Sequence, residues 1–169
     1  MAEERAPSPA TRPEGAGRAH PARRAHDAPG GGQRWSEVEV HEYKAEGEAP
    51  FREVTRQVLF DDPDLACQVR YFEVAPGGWS TLERHEHVHA VVVLRGRGMA
   101  LVDGTVFDVG LNDLVSVGPM AWHQFRAGAD EPLGFLCVVN HERDRPQLPS
   151  EADLAALRVD PTVAAFLAS

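Results

Sequence analysis

The chain has few cysteines, no long apolar run and none of several common catalytic motifs. Its two cysteines, Cys67 and Cys137, form no CxxC pair, and no stretch approaches the roughly 18 uninterrupted apolar residues of a membrane span. No hydrophobic core follows a basic start in the way that a secretory signal requires. Nucleophile-elbow and phosphate-binding glycine motifs are also missing, which sets those reaction classes aside. We therefore expect a cytoplasmic protein with free thiols that does not cross a membrane.

Large apolar side chains are missing from the first 34 residues, which contain no Leu, Ile, Val, Phe, Tyr or Trp. Such a segment can bury little that would offset the entropy of ordering its backbone. Its frequent Pro and Gly also prevent the amphipathic helix of an organelle transit peptide. The sequence therefore predicts a disordered tail over residues 1–34.

Basic residues are scarce in the remainder of the chain. Of 169 residues, 17 are Lys or Arg and 26 are Asp or Glu, which gives a formal net charge of -9. The predicted tail holds six of the arginines and four of the acids, so the folded part is more acidic than the whole. An acidic surface repels phosphate backbones, and we expect no nucleic-acid partner for this domain.

From Val38 onward, short runs rich in β-branched and aromatic residues are separated by turn residues. The turn signals recur at a spacing typical of a sandwich or barrel, and they include Pro76-Gly77-Gly78, Gly96-Arg97-Gly98, Asp103-Gly104 and Gly118-Pro119. The pattern predicts a mainly β domain over residues 35–149. Its predicted strands are 37–44, 52–60, 66–75, 80–85, 89–95, 98–103, 105–109, 114–117, 122–127 and 133–140.

After Pro149 the sequence changes to a helical pattern. Ser150 is a candidate N-cap, and Leu154 and Leu157 share one face of the helix that follows. Pro161 begins a second short helix. We predict that residues 150–169 pack on the barrel or on a dimer partner.

Three histidines occupy alternate positions in the stretch GGWSTLERHEHVHAVVVLRG, residues 77–96, and a fourth, His123, follows Pro119 far downstream. This order of features resembles the cupin superfamily, whose two motifs are G(X)5HXH(X)3,4E(X)6G and G(X)5PXG(X)2H(X)3N. The resemblance spans about residues 54–140 and implies a single cupin jelly-roll β-barrel. It is specific for the fold and says little about the reaction, because this fold carries many chemistries.

The first motif fits without a gap when it is aligned on Gly96. The family's glutamate position then falls on His89, its second histidine on His85, its first histidine on Glu83 and its opening glycine on Gly77. The alternative register, with the HXH pair at residues 85 and 87, demands a glutamate at position 91 or 92, where valines stand. We reject that register.

The second motif matches only in part. His123 takes the histidine position, but Gly118 stands at the proline position, with Pro119 beside it, and Ala127 stands at the terminal asparagine position.

The resemblance implies that Glu83, His85, His89 and His123 bind one divalent transition metal ion. Residues two apart on a strand face the same side, so Glu83 and His85 can share the ion. One carboxylate and three imidazoles suit first-row ions, and four protein ligands leave two positions of an octahedral ion for water, substrate or oxygen. Mn and Fe are favoured by the resemblance, with Ni, Cu or Zn as alternatives. His87 is predicted at the turn, as a rim residue or an outer partner, with a further metal ligand as the less favoured alternative.

Six residues are candidates for a small-molecule pocket beside the ion, although each could equally be plain core. Phe125 shares the inward parity of His123. Cys137 stands two residues after Phe135, and it is either a small buried hydrophobe or a thiol that faces the pocket and is open to oxidation. The full set of candidates is His87, Phe125, Cys137, Trp79, Phe135 and Met120.

Three hypotheses about function remain. The first is a metal-dependent oxidoreductase with dioxygenase-type activation of O2 against a small organic substrate. The second is a non-catalytic cupin that binds or senses a small molecule. The third is a Lewis-acid isomerase or lyase with a nearby base such as His87 or Glu86. The resemblance also implies a homodimer, as does the need to cover an edge strand such as 37–44.

Overall fold

The computed structural model describes residues 23, 25–27, 34–43 and 50–168, and most of them lie in β-strands. The strands in chain order are β1 (His26–Asp27), β2 (Arg34–Trp35), β3 (His41–Glu42), β4 (Arg52–Asp61), β5 (Cys67–Trp79), β6 (His89–Arg95), β7 (Arg97–Val102), β8 (Thr105–Gly110), β9 (Leu114–Val117), β10 (His123–Ala127) and β11 (Leu133–Asn140). Two short helices follow, α1 (Glu151–Leu157) and α2 (Pro161–Ala168). Among the described residues, no helix is long and apolar enough to span a bilayer.

Strands β3 to β11 form one antiparallel sheet that is organised around β5. This strand pairs with both β4 and β11, and its end at Trp79 also pairs with Arg126 of β10. The sheet continues from β11 through β6 to β9, and from β10 through β7 to β8. It curls into a half-barrel, which confirms the mainly β jelly-roll class predicted from the sequence.

Side-chain alternation explains why these segments form strands. In β6, Val91 and Val93 are buried whereas Ala90 is exposed, as expected when successive side chains point to opposite faces. The turn between β7 and β8 is the predicted Asp103-Gly104 pair. Both residues have positive φ, 49° and 75°, which is the conformation that a two-residue type I′ hairpin requires.

The two glycines that anchor the first motif both have a physical role. Gly77 and Gly96 adopt φ values of 71° and 70°, which residues with a Cβ rarely tolerate. At Gly96 a Cβ would also collide with the backbone carbonyl oxygen of Pro132. The chain can therefore leave β6 and enter β7 at this point only with glycine.

Two of the predicted strands are wrong in extent. Only His41–Glu42 of the segment 37–44 pairs, with Thr55 and Arg56 of β4, and residue 44 lies outside the described residues. Residues 80–85 are not a strand, because β5 instead continues through the predicted turn at 76–78 to Trp79. Beyond it, Glu83 pairs with His123 and Arg84 pairs with Gln147, one residue each, so no continuous ladder develops.

The predicted disordered tail lies mostly outside the described residues. Its described parts include β1 and the first residue of β2, which pair as a small antiparallel sheet. Trp35 explains this order, since its ring packs on Tyr71 at a centroid distance of 4.8 Å and on His26 at 5.2 Å. A large aromatic side chain at the boundary thus has a surface to bury against. The disorder of residues 1–34 stays a prediction.

The C-terminal segment forms the two predicted helices. Ser150 caps α1 as expected, because its hydroxyl accepts a hydrogen bond from the Asp153 amide while the Asp153 side chain accepts one from the Ser150 amide. In α2, Val163 and Phe166 are buried in a small apolar cluster with Leu82 and Leu101. The helices therefore pack on the barrel of their own chain.

We predict that Phe166→Ala lowers the free energy of unfolding by about 3 kcal/mol, because it removes a buried ring and leaves a cavity. Phe166 is 3% exposed, whereas Val159, between the two helices, is 81% exposed. Val159→Ala is therefore the control and should change stability by less than about 0.5 kcal/mol. Chemical denaturation measures both variants, and equal stabilities would show that α2 does not pack on the barrel in solution.

Candidate metal centre

Four histidines and one glutamate meet in a cavity of about 230 Å³ inside the curled sheet. His89 begins β6 and His123 begins β10. The other three residues, Glu83, His85 and His87, lie on the segment 80–88 that connects β5 to β6. The cavity therefore gathers side chains from two strands and the segment between β5 and β6.

Backbone hydrogen bonds hold the segment 80–88 in position. Glu83 and His123 exchange two of them, at 3.2 and 3.0 Å, and the Met120 amide donates to the His85 carbonyl at 2.7 Å. The Ser80 amide also donates to the Phe125 carbonyl at 2.9 Å. The ligand-bearing segment is thus fastened to β10 and to the turn before it.

The imidazole rings are packed against one another. The His85 ring lies 3.6 Å from His87, 4.5 Å from His89 and 4.9 Å from His123, measured between centroids. Two overlapping sets have all their ligand atoms within 4.8 Å of one another: Glu83, His85 and His123, and His85, His87 and His89. His85 belongs to both sets and is 1% exposed, which places it at the centre of the cluster.

The ring nitrogens have the protonation pattern that a metal ligand needs. The Nδ1 atoms of His85 and His123 donate to the carbonyl oxygens of His87 and Ala121, at 2.7 and 3.0 Å. A neutral ring with a proton on Nδ1 carries its lone pair on Nε2. The Nε2 atoms of His85 and His89 are buried and have no hydrogen-bond partner. Such unpartnered buried nitrogens fit a site that a cation completes.

Burial keeps two of these rings neutral. Desolvation, reinforced by the neighbouring histidines, lowers the pKa of His85 to about 4 and that of His89 to about 2. Both rings are therefore neutral at neutral pH and carry one ring proton each. Since an imidazolium, with both nitrogens protonated, cannot bind a metal, the lowered pKa values leave each ring with a nitrogen lone pair for an ion.

Glu83 supplies the negative charge of the cluster. It is buried, and its Oε1 accepts a hydrogen bond of 3.0 Å from the hydroxyl of Tyr43. Burial and the Glu83 carboxylate together raise the pKa of Tyr43 well above its ordinary value, so this hydroxyl keeps its proton. Three imidazoles with one carboxylate form a donor set that suits Mn, Fe, Ni, Cu or Zn.

His87 is paired with a carboxylate at the edge of the cluster, that of Asp144. Its Nδ1 lies 2.6 Å from Oδ1 of Asp144, and Asp144 also accepts hydrogen bonds from the amides of Glu86 and His87. The amide of Glu86, the His87 ring and the His87 amide lower the pKa of Asp144. An ionised Asp144 fixes the proton of His87 on Nδ1 and orients the ring.

The structure places four of the six pocket candidates on the cavity wall and two elsewhere. His87, Phe125, Phe135 and Cys137 line the cavity. Trp79 does not, since it lies beneath the guanidinium groups of Arg52 and Arg126. Met120 is not a lining residue either, and it contributes only its backbone amide, which supports His85.

Cys137 faces the cavity, as one of the two interpretations of the sequence required. Its sulfur lies 3.5 Å from Nη2 of Arg70 and 3.6 Å from Nδ1 of His89. Burial raises the pKa of the thiol, although Arg70 acts in the opposite direction. The group is therefore held as a thiol rather than a thiolate.

Several cavity residues were not identified from the sequence. They include Tyr43, Asp144 and three arginines, Arg56, Arg70 and Arg143. Arg70 and Arg56 could have been predicted to face the cavity, because on their strands they point to the same side as the buried residues Phe72 and Val54. Asp144 and Arg143 stand in an irregular segment, where no periodicity marks them.

Comparison with known proteins reveals close relatives. The sequence profile described as "Cupin domain" matches residues 70–139. A Rhodospirillum rubrum protein named 1-methylthio-D-xylulose 5-phosphate methylsulfurylase is 62% identical over 134 residues, which cover 79% of this chain and 86% of that relative.

Solved structures of similar proteins include two that are described as cupins. A cupin-2 domain protein from Rhodospirillum rubrum has 61% identity and a TM-score of 0.76, covering 79% of this chain and 90% of that one. A cupin 2 conserved barrel domain protein from Rhodopseudomonas palustris has 59% identity and a TM-score of 0.79, covering 86% and 98%. A polyketide cyclase from Streptomyces resistomycificus has 28% identity and a TM-score of 0.59, covering 68% and 83%.

We predict that His123→Ala loses bound metal whereas His87→Ala retains it. The reason is that the motif alignment excludes His87, while His123 lies in one cluster with Glu83 and His85. Metal content of each purified variant, measured by inductively coupled plasma mass spectrometry, decides the matter. Loss of metal in His87→Ala with retention in His123→Ala would contradict this prediction and would show that the ion is bound by the set of His85, His87 and His89.

Proposed function

The chain belongs to the cupin family, and from that premise we propose that it is a metal-dependent enzyme acting on the methylthio group of a phosphorylated 1-methylthio ketose. The observation that carries this proposal is the 62% identity to the Rhodospirillum rubrum methylsulfurylase across 86% of that relative's length. The relative's name specifies its substrate, a pentulose with a methylthio group on C1 and a phosphate on C5. The buried cluster of histidines and the apolar wall beside it are consistent with such a small substrate.

In this proposal Glu83, His85, His89 and His123 hold one divalent ion. Support comes from the unpartnered Nε2 atoms of His85 and His89 and from the carboxylate of Glu83 within reach of His85 and His123. Mn and Fe remain the predicted ions, with Ni, Cu or Zn as alternatives. When bound, such an ion would act as a Lewis acid toward the carbonyl oxygen of a ketose.

The apolar wall would position the methylthio end of the substrate and exclude water from it. Phe125 and Phe135 pack together with centroids 4.9 Å apart, and Phe72 stacks on Phe135 at 5.5 Å. All three rings line the cavity together with the histidines. A thioether gains from contact with aromatic rings, so this wall suits a methylthio group.

His87 is our candidate for moving a proton. Asp144 keeps its Nδ1 protonated, which leaves Nε2 as the atom that accepts or donates a proton. The pair resembles the arrangement in which a carboxylate orients a catalytic imidazole. Cleavage of the C1–S bond with its electron pair going to C1 requires a proton at C1, and His87, which lines the cavity, would supply it.

Cys137 is our candidate for the acceptor of the methylthio group. Its sulfur, after its proton passes to Nε2 of His87, would attack the substrate sulfur, forming an S–S bond as the C1–S bond breaks and C1 takes up that proton. The products are a mixed disulfide on Cys137 and a 1-deoxy ketose, and a second thiol from solution would release the methylthio group by exchange. The position of Cys137 between Arg70 and His89 supports this role.

Dioxygenase-type chemistry stays a prediction, as do non-catalytic sensing and a Lewis-acid isomerase or lyase. The homodimer and the cytoplasmic location also stay predictions. An experiment that separates the chemical alternatives needs one substrate and a control for oxygen.

We predict that the metal-loaded protein converts 1-methylthio-D-xylulose 5-phosphate, in the presence of a small thiol, to a 1-deoxy ketose phosphate at the same rate with and without O2. Chromatography with mass detection follows both products, and an oxygen electrode records uptake. Turnover that depends on O2 would instead support the dioxygenase hypothesis. Binding of the compound without turnover, under either condition and with each of the predicted metals, would favour a sensing cupin.

We also predict that Cys137→Ser abolishes methylthio transfer while retaining bound metal, because serine keeps the shape but cannot form the S–S bond. Cys67→Ser is the matched control, since Cys67 is partly exposed at the start of β5 and does not line the cavity. Intact-protein mass spectrometry without added thiol should detect the methylthio adduct in wild-type protein and in Cys67→Ser. Full transfer activity in Cys137→Ser would assign the acceptor role to the free thiol alone.

A further inference from the structure

The cavity contains a buried arginine that has no contact with the substrate in the proposed chemistry. Arg70 lies on β5 and is 9% exposed. Its Nη2 donates to the sulfur of Cys137 at 3.5 Å, its guanidinium lies 5.3 Å from the Phe72 ring, and its buried Nε has no hydrogen-bond partner. A guanidinium in this position is desolvated and only weakly compensated, which is costly unless an anion joins it.

Two further arginines line the same cavity. Arg56 lies on β4, and its Nε is also buried without a hydrogen-bond partner. Arg143 is exposed and reaches in from the segment after β11, where its Nη1 donates to the Asn140 carbonyl at 2.9 Å. Burial, followed by repulsion from Arg70, lowers the pKa of both groups. Three like charges are therefore close enough to act on one another.

The carboxylates of the cavity are engaged elsewhere. Glu83 accepts a hydrogen bond from Tyr43, and Asp144 is paired with His87. In the part of the chain that the structure describes, the ion pairs include none from Arg56, Arg70 or Arg143 to a carboxylate. Asp61 favours the charged form of Arg143, but it does not line the cavity and its ion pair is with His141. Among the described residues, the positive charge on this wall thus has no carboxylate in ion-pair contact.

We propose that Arg56, Arg70 and Arg143 form a subsite for the phosphate group of a small phosphorylated substrate whose other end reaches the histidine cluster. The inference rests on the proposed function for the identity of that substrate, but it makes its own claim about which residues bind the phosphate. Guanidinium groups match a phosphate because their parallel N–H groups donate to two of its oxygens at once. A dianion here would offset the repulsion among the three arginines.

The test measures binding rather than turnover, in metal-free protein, because phosphate also ligates divalent ions. Isothermal calorimetry with D-xylulose 5-phosphate and inorganic phosphate compares the wild type with Arg56→Gln and Arg143→Gln. We expect both probes to bind about tenfold or more weakly in each variant, since a charge-assisted hydrogen bond is lost. Arg145→Gln is the matched control, because Arg145 is exposed in the same segment as Arg143 and does not line the cavity.

Arg70→Lys extends the test to the buried position. It keeps the charge but loses the planar pair of donors, so we expect weaker binding of the phosphate probes with a melting temperature close to the wild type. If Arg70→Lys unfolds, Arg143→Gln still decides the question, because Arg143 is exposed. Unchanged affinity for both probes in Arg56→Gln and Arg143→Gln would overturn the inference, as would wild-type binding of D-xylulose as tight as that of its 5-phosphate.

The two proposals fail in different ways. Arginine-dependent phosphate binding without methylthio transfer would leave the subsite in place and remove the proposed reaction. Methylthio transfer with an unchanged KM in Arg56→Gln and Arg143→Gln would do the reverse.

Discussion

Two backbone hydrogen bonds between Glu83 and His123 are the interaction on which the rest of the site depends. They join the segment after β5 to the start of β10, so a carboxylate and an imidazole that are 40 positions apart in sequence come to face one cavity. His85 follows two residues after Glu83, and the Met120 amide fixes its carbonyl. Because the segment is held at single points rather than along a ladder, it can turn sharply and direct His85 and His87 into the same space.

Charge divides the cavity into two regions with different chemistry. On one side, burial keeps His85 and His89 neutral and Glu83 provides a carboxylate close to His85 and His123, which together suit a cation. On the other side, Arg56, Arg70 and Arg143 accumulate positive charge that suits an anion. Cys137 lies between the two, in contact with Arg70 and near His89. A substrate with a phosphate at one end and a reactive carbon at the other would span both regions.

The sequence predicted the fold better than it predicted the full cavity, for identifiable physical reasons. Alternation along β6, the turn at Asp103-Gly104 and the cap at Ser150 are local features, so each could be recognised from a few neighbouring residues. The strand predicted at 80–85 failed because its residues find one pairing partner each, which depends on distant parts of the chain. Asp144, Arg143 and Tyr43 were missed for the same reason, since only tertiary structure brings them to the histidines. Trp79 was assigned to the pocket by its type, but two arginines cover it outside the cavity wall.

We propose above all that the buried cluster is a metal centre with Glu83, His85, His89 and His123 as its ligands. Anomalous X-ray diffraction from crystals of the protein, purified with the ion it acquires in cells, tests that claim most directly. We predict a single anomalous peak with the Nε2 atoms of the three histidines and a carboxylate oxygen of Glu83 at about 2.1 Å. A peak bound by His87 in place of Glu83 or His123, or no peak in the cavity, would contradict it.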